Sequence, residues 1–362
     1  MLNWFLAFVP IAIVLHHFAP GRYELVFITA AIGILPLAAW LGRATEQLAD
    51  RSGEGIGGLL NATFGNAAEL IIALAALRAG LYDVVKATIV GSIVGNILLV
   101  PGAGMLAGGM RYLEQHFNLA GARAQATMLT LAAIALIIPA AYHGLVGELY
   151  AGGEKFLSIS ISLVLLVVYC MFLLFSLWTH PSFFCGANLP DDETSSQPWS
   201  LSWSIAVLAI CTSAIAWLSE ILVGTIEPTA QALGLSDIFI GVFVIAILGN
   251  AAEHASAITA AIKNRMDLSL SIAIGSSIQV ALFVAPVLVL ASLIIGPGPM
   301  DLLFGKGLIL AVFVAGLAMA EARHAELLTR RERRRTDLER QRALTLQAVE
   351  QLASVLVLPH PE

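Results

Sequence analysis

The chain has 362 residues, of which 58% are hydrophobic and 12% charged, with a formal net charge of −6 and a mean hydropathy of +0.86. These values lie outside the range of soluble globular domains and indicate an all-α integral membrane protein with several spans. Most of the charges lie in loops and in one C-terminal tail and form no uniform surface field, so the composition supports no nucleic-acid partner.

Ten apolar runs approach the length of about 20 residues that a helix needs to cross a bilayer. In chain order they are Leu2–Phe18, Leu25–Leu41, Gly57–Leu77, Val84–Leu106, Ala126–Ala141, Leu157–Leu177, Leu201–Val223, Ile238–Ile262, Leu268–Ile295 and Leu302–Ala320. We assign the first run, within residues 1–20, to an extra helix. The acidic polar segment at 179–200 is predicted to link two halves.

A five-residue motif occurs twice in these runs. Gly-Asn-Ala-Ala-Glu stands at Gly65–Glu69 and again at Gly249–Glu253, a spacing of 184 positions. The same offset maps Gly91-Ser92 onto Gly275-Ser276, so the repeat continues into the following helix. A carboxylate inside a membrane helix is costly, and two in one repeated frame predict a shared ion site.

The two glutamate-bearing helices are predicted to run in opposite directions, because five crossings separate the third span from the eighth. This indicates an inverted-topology repeat with halves at 23–178 and 201–322. Such repeats place the substrate near the midplane, between discontinuous helices. We expect the breaks at Gly65-Asn66 and Gly249-Asn250, where glycine permits unusual backbone angles and asparagine bonds freed backbone groups. The alternative is that these glycines only allow close helix packing.

The motifs resemble those of the calcium/proton exchangers, the cation/proton exchanger branch of the cation/calcium exchanger superfamily. The residues that carry the resemblance are Asn61–Glu69, Gly91–Asn96, Gly249–His254 and Gly275–Gln279. The resemblance implies a helical fold of the sodium/calcium exchanger type and a secondary antiporter, not an enzyme. It also implies that Glu69 and Glu253 bind and carry the cation.

Calcium is a hard cation that takes six to eight oxygen ligands. Two glutamates would supply a charge of −2, which balances one Ca²⁺. Further candidate oxygens belong to Asn66, Asn250, Ser92, Asn96, Ser276 and Gln279. Ca²⁺ is then the transported substrate, no cofactor is expected, and the partners are Ca²⁺, H⁺ and the lipid bilayer, with a homo-oligomer left open.

Proton coupling follows from the same charges. Two ionised carboxylates in a low-dielectric surround are costly, so either Ca²⁺ or two protons must neutralise the pair before the protein switches faces. Glu69 and Glu253 are therefore predicted to carry protons as well as the cation. No Gly-rich nucleotide-binding loop is visible, which leaves the proton gradient as the energy source. The alternative reading of the two glutamates is a permanently protonated structural role.

His254 is a further candidate for proton coupling, because it follows Glu253 and an ordinary histidine titrates near neutral pH. Successive residues on a helix point about 100° apart, however. A hydrogen-bonded packing role is therefore the alternative.

Three other functions stay open. The scaffold could exchange Na⁺ or K⁺ for protons, but one carboxylate would suffice for a monovalent ion. A channel would need fast release, which two charges on one cation hinder. A degenerate, non-transporting exchanger gains support from the C-terminal region, because 323–362 contains eight arginines where the resembling family has a last hydrophobic helix. That helix is read as absent or altered.

The basic tail also orients the chain. Lys and Arg concentrate on the cytoplasmic side of membrane proteins, and Arg330–Arg335 follows an even number of predicted spans. We therefore expect both the tail and the N-terminus to be cytoplasmic, in a membrane of the bacterial inner (cell) membrane type.

Overall fold

A computed structural model of the chain describes residues 2–19, 21–117, 119–146, 151–179 and 199–314. Within these residues every regular element is helical, which confirms the all-α prediction. They belong to one compact unit, Met1–Gly316. Most of the predicted linker, the end of the tenth run and the whole basic tail lie outside the described residues.

The α-helices are numbered in chain order. They are α1 Phe8–Phe18, α2 Tyr23–Ser52, α3 Glu54–Phe64, α4 Ala67–Arg78, α5 Tyr82–Val94, α6 Val100–Gly109, α7 Leu119–Val146, α8 Ala151–Leu174, α9 Leu201–Gly224, α10 Ile226–Leu233, α11 Asp237–Phe239, α12 Ala246–Gly249, α13 Ala251–Ile262, α14 Met266–Gln279 and α15 Ala285–Ala291. A 3₁₀ turn, Leu2–Ala7, precedes α1. Residues 306–314 are also helical.

Wider π-helical turns join several of these helices without a loop. They occupy Gly95–Leu99 between α5 and α6, Phe175–Thr179 after α8, Ile240–Ile245 before α12, and Val280–Val284 between α14 and α15.

Six helical stretches in the described part are long and apolar enough to cross a membrane. A seventh span results if α10 and the stretch Asp237–Gly249, which meet at 111°, are counted together. The number falls short of ten partly because both glutamate-bearing runs are interrupted, so that α3 with α4, and α12 with α13, are each two shorter helices. The count of ten spans stays a prediction.

The spans differ in how deeply they are buried. In the most apolar 18 residues of Met266–Ala291, 72% of the residues are buried inside the protein. The corresponding part of Gly153–Thr179 has a higher mean hydropathy, yet only 22% of it is buried. An apolar helix that exposes most of its surface in this way is suited to contact lipid. The most buried stretches after Met266–Ala291 are Tyr23–Ser52, at 61%, and Tyr82–Gly109, at 56%, so α2, α5 and α14 contribute much of the core.

The same left-handed turn ends both glutamate-bearing helices. Gly80 after α4 has φ 79°, and Asn264 after α13 has φ 61°. At the first turn the Leu81 N–H donates to the Ala76 carbonyl at 2.9 Å, and at the second the residue 184 positions later, Arg265, does so at 2.9 Å to Ala260. Glycine and asparagine are the residues that adopt this conformation most readily, so each turn has a suitable residue.

The two ends of the helix bundle are fixed by contacts of α9. Just before its start, the Trp199 ring stacks on the Trp40 ring, and the backbone N–H of Trp199 donates to Gln47 Oε1 at 2.9 Å. Both contacts are made with α2, the second close to its last residues. Near its other end, Glu220 forms an ion pair with Arg78, the last residue of α4, at 3.0 Å. We call these the Ser52 end and the Arg78 end.

The Arg78 end is covered by the segment 292–305. Tyr82 donates its hydroxyl proton to the Gly298 carbonyl at 2.6 Å and accepts from the Gly298 N–H at 2.9 Å. Lys86 pairs with Asp301 and donates to the Leu303 carbonyl at 3.0 Å. These bonds hold the segment on the first turns of α5.

Candidate functional site

Glu69 and Glu253 each lie in the first turn of a helix, α4 and α13. The residue before each helix leaves the helical conformation in the same way: Asn66 has φ −95° and ψ 16°, and Asn250 has φ −102° and ψ 7°. The start of a helix carries unpaired N–H groups and a partial positive charge, which favours a carboxylate there. The predicted breaks are therefore present, and they lie at the asparagines.

The glycines serve close packing, which was the alternative reading. Gly65 keeps ordinary helical angles, φ −55° and ψ −45°, so backbone freedom is not its role. A Cβ added to Gly249 would lie 3.1 Å from the Glu69 Cβ, and one added to Gly65 would lie 3.5 Å from Glu253 Oε1. Each glutamate thus packs against the glycine of the other motif.

The first half of the site is a hydrogen-bonded chain around Glu69, a residue only 1% exposed. The Ser92 hydroxyl donates to Glu69 Oε1. The Asn250 side-chain amide in turn donates to Ser92 Oγ at 2.9 Å. Residues of both motifs therefore hold the same carboxylate.

The second half joins the remaining amides. Asn96 Nδ2 donates to Ser276 Oγ at 2.9 Å. Ser276 Oγ lies 3.3 Å from the Oδ1 atoms of both Asn66 and Asn250, so its single proton can bond either one. Asn66 Nδ2 donates to Gln279 Oε1. The structure therefore brings together the candidate ligands that the sequence indicated, while their role as ligands stays a prediction.

His254 is attached to the edge of this network. Its Nε2 lies 2.8 Å from Asn96 Oδ1, an atom that can only accept, so Nε2 carries a proton in this contact. The contact orients the Asn96 amide and gives His254 the hydrogen-bonded role that was one of its two readings. Proton coupling through His254 stays a prediction.

The two halves of the site are not exact copies. The offset of 184 pairs Asn96 with Val280, and Gly95 with Gln279. Asn96 lies in one π-helical turn and Gln279 immediately precedes another. A π turn rotates the residues that follow it, which is why such turns often occur at functional sites.

Both glutamates keep one oxygen without a partner. Among the described residues, Glu69 Oε2 and Glu253 Oε2 are buried atoms with no hydrogen bond. An unpaired buried charge is costly, so the arrangement suits carboxyls that a proton or a cation neutralises. No cluster of three His, Cys, Asp or Glu side chains occurs in the described ranges. A divalent ion here would therefore use two carboxylates with amide and hydroxyl oxygens.

A cavity of about 530 Å³ reaches the site. Glu253, Ser276 and Gln279 line it, and Glu69 does not. Its wall extends along α2 to Glu46, six residues before Ser52, so it leads towards the Ser52 end. Sequence reasoning missed Glu46, because an acid near the end of a helix is usually only solvated.

Comparison with known proteins finds relatives of this chain over most of its length. The model of a family described as "Sodium/calcium exchanger protein" matches residues 23–178 and 203–336. A Ca²⁺/H⁺ antiporter of Aphanothece halophytica is 45% identical over 325 residues, covering 86% of each chain. The Ca²⁺/H⁺ antiporter ChaA of Bacillus subtilis (strain 168) is 43% identical over 295 residues, covering 81% of this chain and 83% of the relative.

Solved structures show the same fold. The structure of native YfkE matches with a TM-score of 0.75 and 38% identity, covering 88% of this chain and 90% of that one. The H⁺/Ca²⁺ exchanger CAX matches with a TM-score of 0.63 at 16% identity, covering 87% and 79%, which bears on the fold alone.

Paired carboxylates between interrupted helices of an all-α integral membrane protein define a secondary ion transporter, not an enzyme. The chain belongs to the sodium/calcium exchanger protein family. The resemblance found in its motifs is thereby confirmed.

Proposed function

We propose that this protein exchanges Ca²⁺ for protons across a membrane by alternating access, with Glu69 and Glu253 as the residues that bind either ion. The observation that carries the proposal is a pair of glutamates, each with one buried and unpaired oxygen, beside one network of amide and hydroxyl groups. The relatives named as Ca²⁺/H⁺ antiporters support the choice of ions.

The remaining ligands are proposed to come from the network itself. The oxygens of Asn66, Asn250, Ser92, Asn96, Ser276 and Gln279 lie within this one cluster. In this structure these oxygens accept hydrogen bonds from amide and hydroxyl groups of the same cluster, so Ca²⁺ binding has to replace those hydrogen bonds with contacts between the oxygens and the ion. Because Ca²⁺ accepts six to eight oxygens in a flexible geometry, it tolerates such a mixed set.

The stoichiometry follows from charge. Two ionised carboxylates with one Ca²⁺ are neutral, and two protonated carboxyls are also neutral. With both carboxylates ionised and no cation bound, the site carries a charge of −2 in a low-dielectric surround. The switch of the protein between its two conformations is strongly disfavoured in that state. The protein therefore exchanges one Ca²⁺ for about two protons, and the proton gradient drives it.

We further propose an inverted-topology repeat of about ten spans, with halves at 23–178 and 201–322 after an extra helix at 1–20. The left-handed turns at Gly80 and Asn264 support it, since they are 184 positions apart. So does the contact of Ser277 Oγ with the Ile93 carbonyl at 3.5 Å, which joins residues related by the same offset. The family model also matches in two separate segments.

The setting is proposed to be a bacterial inner membrane, with the N-terminus and the basic tail at 323–362 in the cytoplasm. In that orientation the Ser52 end is cytoplasmic, and the cavity opens to the cytoplasm. The acidic linker at 179–200 then also faces that side. A reporter fused to the C-terminus and labelled from each side of the membrane tests the placement.

Calcium uptake into everted membrane vesicles, with and without an imposed pH gradient, tests the function. We expect uptake only with the gradient, and competition by Na⁺, K⁺ and Mn²⁺ then measures selectivity. Uptake of Na⁺ or K⁺ in preference to calcium would select the monovalent alternative. Gradient-independent flux would indicate a channel, and no flux at all a degenerate exchanger.

A further inference from the structure

The cavity that reaches Glu253 holds a second carboxylate, that of Glu46 on α2. Among the side chains that line the cavity, Glu46 and Glu253 are the two that carry negative charge, and no basic residue lines it. Glu46 is exposed to the cavity and forms no hydrogen bond or ion pair with a described residue. Its charged neighbours on α2 are Arg43, one turn before it, and Asp50, one turn after it. The carboxylate is thus available to a mobile cation.

The position of Glu46 is not duplicated in the second half. The offset of 184 aligns Thr45-Glu46-Gln47 with Thr229-Ala230-Gln231. Thr45 and Thr229 are each 1% exposed, but Glu46 is exposed whereas Ala230 is 2% exposed, so the second half offers neither a carboxylate nor an exposed side chain at this position. The chain therefore carries an acid on the route to Glu253, and an alanine at the corresponding place in the other half.

The dimensions of the cavity suit a hydrated cation. Its volume of about 530 Å³ is many times the ~30 Å³ that one water occupies in the liquid. Leu41, Ala38 and Ile272 form part of its wall, and low-dielectric walls around a charge concentrate its field within the opening. A calcium ion can meet Glu46 before it gives up its water shell to the network around Glu253.

We propose that Glu46 is a capture residue, which binds the hydrated cation in the cavity at the Ser52 end and passes it to Glu253. This rests on the proposed exchange of calcium at Glu69 and Glu253 and adds a binding step to it. Because Ala230 stands in the corresponding position, the step exists on one face of the membrane only. The protein therefore takes up calcium with higher apparent affinity from the Ser52 face than from the Arg78 face.

The test measures the initial rate of radiolabelled calcium exchange against calcium concentration, from both faces, in everted and in right-side-out vesicles. For Glu46→Gln we expect the KM for calcium added at the Ser52 face to rise about fivefold, because one unit charge near a divalent ion is lost. The maximal rate should stay unchanged. Glu46→Asp keeps the charge and should stay near wild type. Asp50→Asn removes the same charge one turn away, outside the cavity lining, and should change the KM by less than about twofold.

Three results would overturn the capture step: an unchanged KM in Glu46→Gln, an equal rise from both faces, or an equal rise in Asp50→Asn. A lost maximal rate with an unchanged KM would also contradict it, because that pattern marks a residue needed after binding. Glu253→Gln separates this failure from failure of the proposed function. If Glu253→Gln is inactive while Glu46→Gln behaves as wild type, only the capture step is wrong.

Discussion

Glu69 packs directly against Gly249, the glycine of the other motif: a Cβ built on Gly249 would lie 3.1 Å from the Cβ of Glu69 and 3.3 Å from its Cα. The motif therefore supplies both a carboxylate for its own half of the site and a space for the carboxylate of the other half. This explains why a glycine and a glutamate recur together, four residues apart.

Gly249→Ala tests this packing. The added methyl group has to displace Glu69, and overpacking of a tight interior typically costs about 1–3 kcal/mol, so we expect roughly a tenfold loss of exchange rate. Gly102→Ala is the matched control, because a Cβ at that helical glycine meets nothing within 4 Å. Equal rates in the two variants would mean that the contact with Gly249 does not position the carboxylate.

Neutralising either glutamate should stop exchange. In Glu69→Gln or Glu253→Gln, the calcium-bound site carries an uncompensated positive charge, and a charge in the middle of a membrane helix costs at least about 2.5 kcal/mol. That corresponds to a loss of roughly a hundredfold or more in exchange. Glu227→Gln, a change at an exposed acid that contacts Gln231, is the control and should behave as wild type. Robust calcium/proton exchange by either site variant would remove these residues from the mechanism.

Apparent calcium affinity should fall as the pH falls. Metal binding requires deprotonated ligands and releases their protons. If two protons are displaced, linkage requires the apparent Kd to rise by up to about 100-fold per unit decrease in pH where both carboxyls titrate. Calcium titrations of the purified protein across a pH series measure the slope. An affinity that stays constant from about pH 6 to 8 would show that protons do not share the site.

The two ion pairs at the Arg78 end should contribute differently to the free energy of unfolding. Lys86 and Asp301 have side chains 12% and 27% exposed, whereas Arg78 and Glu220 are 71% and 54% exposed. We expect Lys86→Ala to lower the free energy of unfolding by about 1–3 kcal/mol, because it leaves Asp301 without its partner. Arg78→Ala should change it by less than about 1 kcal/mol, as for other exposed pairs.

Thermal unfolding in detergent measures both effects. Adding Asp301→Asn to Lys86→Ala should restore part of the loss, since the unpaired charge is then removed as well. Strictly additive losses would indicate that the two side chains act independently and that the segment 292–305 is held by its other bonds.

Much of the site could be predicted from the repeated motifs, because the same polar residues recur at the same spacing in both halves of the chain. The glutamates, asparagines and serines cluster as expected. The role of the glycines could be resolved only in three dimensions, since the residue against which Gly249 packs is 180 positions away in the chain. Glu46 was hidden for the same reason: its proximity to Glu253 depends on how α2 packs beside α13.

The different surroundings of Asn96 and Gln279 could not be predicted either. Helical periodicity assumes a constant turn, and a π-helical turn adds one residue to it. The sequence around Asn96 contains no signal for that extra residue.

Solvent meets the two copies of the motif unequally. Glu253 borders the cavity, while Glu69, with the same four residues before it, is 1% exposed and borders only protein. A water-borne carboxyl reagent added to this conformation would therefore modify one chemical group of an apparently identical pair. A change to the opposite conformation should reverse this preference. The ratio of modified Glu69 to modified Glu253 would then report how the protein divides between the two conformations.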